Sequence, residues 1–253
     1  MDTVGRFSNR VENYVKYRPS YPSQVIDLLS ERCSLKRESK IADIGSGTGI
    51  FTRLLLDREF HVFGVEPGDD MRAIAERDFA DNPNFTSVPN KAEATGLDPS
   101  SIDLVTVAQA FHWMDIPAFR AECQRILKPN GHVAIIWNNR KTSGTPFLED
   151  YESLLRKLES DYTSAWQNRV NQESIAQFFG GAHFDLRTFP NQQTFDWDGL
   201  LGRVLSSSYV PLPDSPGYAP MVKNLRVIFD RYSQEGTVAF EYNTEVYLGQ
   251  INP

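Results

Sequence analysis

Between residue 23 and about residue 140, short and nearly continuous apolar runs alternate with segments whose apolar positions recur every three or four residues. The runs at 40–44, 61–66, 84–88, 102–108 and 132–137 read as strands. Between them, 23–35 (Val25, Ile26, Leu28, Leu29, Leu35), 50–56, 69–75 and 116–127 read as helices. Ser23, following Pro22, is expected as the N-cap of the first helix, and Asp69 and Asp70 suit the first turn of the third. Residues 128–131, Lys-Pro-Asn-Gly, read as a turn. Beyond about 145 the periodicity weakens. Segments 147–158, 172–179, 199–207 and 221–232 look helical, 184–195 and 238–251 look extended, and 210–220 is a proline-rich loop.

Strands that are apolar on both faces, each followed by a helix, predict an α/β protein with a mostly parallel sheet covered by helices on either side. The loops after Ile44, Val65, Val107 and Trp137 then fall at the carboxyl edge of the sheet, where open α/β folds bind ligands. The first of these loops is the most distinctive. Asp43-Ile44-Gly45-Ser46-Gly47-Thr48-Gly49 joins a strand to a helix through alternating glycines, which lets backbone approach a ligand where helix N–H groups are free. Glu66, at the end of the next strand, stands where an acid binds ribose hydroxyls.

Charge narrows the candidates. A net charge of −7 disfavours a general nucleic-acid or anionic-membrane binder. Cys33 and Cys123 give neither a disulfide framework nor a metal spacing. No apolar stretch approaches membrane-spanning length, and the first residues lack a signal-peptide core. A cytoplasmic protein with no membrane or metal is expected. A dinucleotide fold places its third glycine one position later than Gly49, and Asp43 would repel a pyrophosphate. Two acids suit instead an adenosyl ribose joined to a sulfonium and an ammonium group, the chemistry of S-adenosylmethionine.

Asp43 through Gly49, then Glu66-Pro67 with Met71, resembles the class I S-adenosylmethionine-dependent methyltransferases over roughly residues 35–140. The resemblance implies a Rossmann-like, seven-stranded, mostly parallel sheet whose last hairpin strand is antiparallel. It implies that Asp43, Gly45, Ser46 and Gly47 pass the methionine part of the cofactor, that Glu66 holds the ribose, and that Pro67 and Met71 lie by the adenine. Lys91-Ala92-Glu93 resembles the adenine-edge loop, with Lys91 where such loops often carry Asp, which leaves backbone at Ala92 as the implied contact. Gln109 to Trp113 follows the fourth strand, where these enzymes face the reacting methyl group; Gln109 is implied as a cofactor contact. Together with Tyr14, Tyr17-Arg18-Pro19, Tyr21-Pro22 and Trp137-Asn138-Asn139-Arg140, this stretch resembles the trans-aconitate methyltransferase-like subgroup of small-molecule enzymes.

Several roles stay open at this level. His112 is either a general base or a histidine bonded to backbone. Tyr14, Tyr17 and Trp113 either wall an acceptor pocket or pack the arm on the sheet edge. Arg18 and Arg140 either clamp a carboxylate or stack at the surface, and Asn138 is placed in the same pocket. Trp166, Trp197 and Tyr209 read as cap, core or interface aromatics. The expected organisation is one domain: an arm at 1–22, a cofactor core at 35–140, a cap and sixth strand at 145–215, and a final helix and strand at 216–253. The expected acceptor is a small molecule, with carboxylates among the candidates. An RNA or protein methyltransferase, or a non-catalytic module of the same fold, are the alternatives.

Overall fold

The computed structural model describes residues 17–158, 172–181, 183–207, 210–211 and 213–251. Tyr14, Trp166 and Tyr209 lie outside the described residues. Strands β1 (Lys40–Ile44), β2 (His61–Val65), β3 (Phe85–Val88), β4 (Ile102–Ala108), β5 (Leu127–Arg140), β6 (Phe184–Phe195) and β7 (Val238–Gly249) form one sheet. Its order among the described residues is β3-β2-β1-β4-β5-β7-β6. The pairs from β3 across to β5 are parallel, and β7 runs antiparallel to both its neighbours. The chain moves outward from β1 to β3, then returns to β4 on the other side of β1. This reversal opens a crevice at the carboxyl ends of β1 and β4.

Side chains alternate across the strands and sort the core into two layers. Ile41, Val62, Leu104, Ala134 and Ile136 face α1 (Ser23–Arg32) and α2 (Ile50–Leu56), meeting Val25, Ile26, Leu29, Phe51 and Leu55. Ala42, Ile44, Val65, Val105, Val107 and Ile135 face the other way, toward Phe119, Cys123 and Ile126 of α4 (Ile116–Ile126). Helix α2 has only seven residues, too few to hold itself together in water. Burial of Phe51 and Leu55, roughly 1.5–3 kcal/mol for each such side chain, fixes it to the sheet. Helix α3 (Asp69–Asp78) follows β2, with Asp69 and Asp70 in its first turn as expected. A third cluster joins α5 (Pro146–Lys157), α7 (Trp197–Leu205) and α8 (Tyr218–Tyr232) to Phe240 and Tyr242 of β7. These two residues lie in the half of β7 that adjoins the carboxyl end of β5, so the cluster stands by the crevice edge.

Four local expectations change. The first helix begins at Ser23 itself, with Pro22 at the N-cap and no side-chain bond there. The expected turn at 128–131 is absorbed into β5: Ile102 pairs with Leu127 and Leu104 with His132, so the surplus residues bulge from the ladder and Lys128, Pro129 and Asn130 are exposed. Part of the expected loop at 210–220 is helical, because α8 starts at Tyr218. Finally α6 (Gln172–Phe179), expected with the cap, buries Ile175, Phe178 and Phe179 in the layer under α4. The Phe178 ring stacks on Phe119 at 5.3 Å and meets Phe111 edge-on at 5.4 Å, so aromatic packing draws the helix to the sheet.

Candidate active site

The loop from β1 to α2 is a turn of three left-handed glycines. Gly45, Gly47 and Gly49 have φ of 67°, 57° and 85°. Their N–H groups fold the turn onto its neighbours: Gly45 and Ser46 donate to Val65 O at 2.8 and 3.2 Å, and Gly49 donates to Ser46 O at 2.9 Å. Sterics separate the three positions. A Cβ on Gly45 would fall 2.5 Å from Ala110 Cβ, and one on Gly49 would fall 2.4 Å from Phe79 Cε2. Around Gly47 it would meet nothing within 4 Å. The outer glycines therefore admit close packing, and the middle one presents bare backbone to open space. Gly49 sits where it does because the ring of Phe79, at the end of α3, packs on it.

Two acids flank this turn and differ in exposure. Glu66 is partly buried and accepts from Gly47 N at 3.0 Å and Gly68 N at 2.7 Å. Burial raises its pKa, and the two backbone donors and the Arg72 guanidinium act against that. Asp43 is fully buried below the turn, accepting from Thr52 Oγ1 at 2.6 Å and Thr106 Oγ1 at 2.8 Å. It supports the turn as a buried charge and offers no exposed oxygen. Burial pushes its carboxyl up to about 6; the threonine hydroxyls lower it and the Glu66 charge raises it further.

The β4 end supplies the facing wall. Gln109 has φ of 60°, donates its N–H to Ile136 O at 3.0 Å and its side-chain amide to Asn138 O at 3.1 Å. A non-glycine residue held there stores backbone strain of order 1–3 kcal/mol, a state that persists only where its surroundings enforce it. After it, Phe111–Trp113 forms a 3-10 turn. The His112 ring lies 4.3 Å from Trp113 and 5.1 Å, edge-on, from Trp137. Its Nδ1 is buried with no hydrogen-bond partner among the described residues, which argues against a histidine bonded through that atom to their backbone. Burial, then the Arg18 guanidinium, lowers its pKa to about 4, so the ring is neutral at neutral pH. Trp113 is 40% exposed beside it.

The remaining expected residues divide. Ser46, Pro67, Ala92 and Glu93 are partly exposed on the loops after β1, β2 and β3, and Met71 is partly exposed in the first turn of α3. Glu93 Oε1 accepts from Asp115 N at 3.0 Å, which ties the 91–94 turn to the start of α4. Arg140, expected in the acceptor pocket, is buried with its guanidinium on Glu152 and over the Tyr151 ring at 5.0 Å. It anchors α5 to β5, and one turn of helix later Arg156 also reaches Glu152. Tyr17 fills the space above Gly202 on α7, where a Cβ would fall 2.0 Å from its ring. Arg18 donates to Ser206 O at 2.8 Å, and Asn138 has polar partners on three sides. Two further residues carry no role in the sequence pattern: Thr48, whose buried hydroxyl has no partner among the described residues, and Arg203, buried on α7 with Nε 3.3 Å from Tyr242 OH. Neither carries a local pattern that would reveal it. At the opposite edge of the sheet a cavity of about 330 Å3, lined by Arg32, His132, His183 and Asp185, is remote from these residues.

The raised pKa of Asp43 makes a prediction with a defined sign. A carboxyl that binds its proton more tightly in the folded chain weakens the fold at neutral pH and gives stability back as pH falls through about 6 toward its ordinary value. Asp43→Asn should therefore raise the melting temperature at pH 7.5 by several degrees and flatten the pH dependence between about pH 6 and 4. Loss of stability in that variant, with the acid-side gain intact, would assign the titration to another group.

Known proteins share this fold. A family described as a methyltransferase domain matches residues 42–135. An uncharacterised methyltransferase of Schizosaccharomyces pombe is 33% identical over 183 residues, covering 72% of this chain and 69% of that protein. An uncharacterised methyltransferase of Mycobacterium tuberculosis is 35% identical over 134 residues, 53% of this chain, and the match spans about half that relative's length, 52%. Among solved structures, one described as a candidate type II methyltransferase from Anaeromyxobacter dehalogenans aligns with a TM-score of 0.67 at 23% identity, over 94% of this chain and 99% of that one. Phosphoethanolamine N-methyltransferase 2 of Haemonchus contortus, solved with S-adenosylhomocysteine, aligns with a TM-score of 0.57 at 17% identity, over 95% of this chain and 56% of that one. With the seven-stranded sheet, the glycine turn and a relative matched over more than two thirds of its length, the chain belongs to the class I S-adenosylmethionine-dependent methyltransferase family.

Proposed function

We propose that this protein transfers a methyl group from S-adenosylmethionine to a small-molecule acceptor. The observation that carries the reading is the Glu66 carboxylate, held by the N–H groups of Gly47 and Gly68 beside an open stretch of glycine backbone. An ionised carboxyl has about four acceptor sites. Two go to backbone here, leaving capacity for both hydroxyls of a ribose. The bare peptide around Gly45, Ser46 and Gly47 takes the methionine portion, Met71 and Pro67 flank the adenine, and Ala92 with Glu93 closes its edge. Asp43 adds negative charge below the turn without touching the ligand. Thr48 Oγ1 and His112 Nδ1 are buried polar atoms with no partner among the described residues, which favours a polar partner supplied from outside the chain at each.

When bound, S-adenosylmethionine supplies a methyl group already activated on a positive sulfur. What the chain then contributes is orientation and exclusion of water, the terms that dominate an in-line transfer. Gln109 contacts the cofactor and Trp113 faces the acceptor side. Neutral His112 keeps a lone pair on Nδ1 and receives a proton if the acceptor must lose one. Arg18 is the basic side chain placed toward an anionic acceptor, and a carboxylate is therefore the acceptor class we favour within the small-molecule reading. The net charge of −7 supports a small molecule over RNA. We propose one domain, with the arm at 1–22, the core at 35–140, the cap with the sixth strand at 145–215 and the final helix and strand at 216–253. No helix among the described residues is long and apolar enough to cross a membrane. The unpaired thiols of Cys33 and Cys123 favour a reducing, cytoplasmic setting.

Two measurements test these roles. Removal of the charge-assisted bonds in Glu66→Ala should weaken S-adenosylhomocysteine binding by about 30- to 100-fold in calorimetry while the circular dichroism spectrum is retained. Unchanged affinity would sink the ribose assignment. If His112 takes the proton, His112→Ala should lower kcat by roughly two orders of magnitude at constant affinity for S-adenosylhomocysteine. The base is lost only as it protonates, so the wild-type rate should show no inflection from this group until pH approaches about 4. A fall centred near the ordinary imidazole value would contradict the buried, neutral ring.

A further inference from the structure

We propose that Asn138, near the end of β5, is a positioning residue that clasps the segment 17–22 across the site and holds Gln109 in its strained conformation. Resting on the reading that Gln109 faces the cofactor, the inference gives Asn138 a part that touches neither cofactor nor acceptor.

Asn138 is buried, and its polar atoms are committed within the protein. Its Oδ1 accepts from Thr244 Oγ1 at 2.5 Å and from Asn191 Nδ2 at 3.3 Å. Its Nδ2 donates to Ser20 O at 3.2 Å, and its backbone O accepts the side-chain amide of Gln109 at 3.1 Å. Asn191 Nδ2 also donates to Ser20 O, at 2.8 Å, which closes a triangle of two amides and one carbonyl. Ser20 is itself exposed, yet its carbonyl is gripped twice.

The residues on either side of Ser20 show what the clasp secures. On one side Arg18 bonds Ser206 O, and Tyr17 lies over Gly202 with its carbonyl accepting from Gln193 Nε2 at 3.2 Å. On the other, Tyr21 is buried edge-on against Phe51, one residue into α2 after the glycine turn, with ring centroids 5.0 Å apart. The segment thus runs from the cap to the helix that follows the cofactor turn, and Asn138 pins it midway. On its other side the same residue accepts the Gln109 amide, one of two bonds that offset the left-handed φ of 60°. A shift of Asn138 would slacken both at once.

The test uses the full chain. Asn138→Asp keeps an acceptor for Thr244 and Asn191 but replaces the donor to Ser20 by a charge facing a carbonyl. Chymotryptic cleavage of the Tyr17–Arg18 bond, followed by mass spectrometry, should accelerate about ten-fold, and S-adenosylhomocysteine affinity should fall three- to ten-fold. Asn191→Ala, which removes one donor to Ser20, should accelerate the same cleavage to a smaller extent, and it carries the test if Asn138→Asp does not fold. Ile126→Val, a core truncation on α4 in the layer away from the clasp, serves as the structural control: it should lower the melting temperature while the cleavage rate stays at the wild-type value. Unchanged cleavage in both asparagine variants, or equal acceleration in Ile126→Val, overturns the clasp. Faster cleavage with unaltered affinity overturns the link to Gln109. If the wild-type chain does not bind S-adenosylhomocysteine, the cofactor reading fails by itself and the cleavage rates still decide the clasp.

Discussion

A backbone that must turn left-handed at three alternate residues is the constraint around which this molecule is arranged. L-residues with a Cβ enter that region at a cost, so the turn between β1 and α2 needs glycine at Gly45, Gly47 and Gly49 on conformational grounds alone. Packing adds a second demand at the outer two, where Ala110 and the Phe79 ring occupy the space a side chain would take. These contacts tie the turn to the end of β4 and to the end of α3, both of which contribute walls to the crevice. The middle glycine is left with its N–H on Glu66 and open space around its Cα. The turn is packed at its ends and accessible at its centre, and the proposed cofactor site rests on that asymmetry.

Charge is placed with the same economy. Asp43 is fully buried and Glu66 partly so, and the Glu66 charge adds to the cost of ionising Asp43. Asp43 is held by two threonine hydroxyls, Thr52 from α2 and Thr106 from β4, so the buried acid also links a helix and two strands. Two carboxyls close to one cleft suit a cationic ligand and disfavour a pyrophosphate. The basic groups are placed elsewhere: Arg18 near His112, Arg140 over Tyr151 and Arg203 beside Tyr242. Arg140 is neutralised by Glu152, so its role is to fasten α5 to β5.

Much of this was legible in the chain because it rests on local chemistry. The apolar runs of β1, β4 and β5 announce strands buried on both faces, and the glycine turn followed by Glu66 announces a nucleoside site. What escaped depends on residues far apart in sequence. Whether Arg140 faces a pocket or a carboxylate is decided by Glu152 on a different element. Asp43 looked like a ligand for a cation until Thr52 and Thr106 took its oxygens. Asn138 looked like a pocket residue, but its partners come from 118, 53 and 106 positions away. The left-handed Gln109 has no signature in residue type, since glutamine rarely adopts that conformation. Helix α6 was visible as a helix, but its docking on α4 depends on an aromatic cluster assembled from three segments.

The central claim is that the turn serves a sulfonium nucleoside and not a dinucleotide. Thermal unfolding of the full chain with S-adenosylhomocysteine and, separately, with NAD tests it most directly, because a ligand that binds the folded state alone stabilises it by about 2.7 kcal/mol at a hundred times its Kd. The account predicts a saturable rise in melting temperature with S-adenosylhomocysteine and none with NAD. A rise with NAD and none with S-adenosylhomocysteine would contradict it.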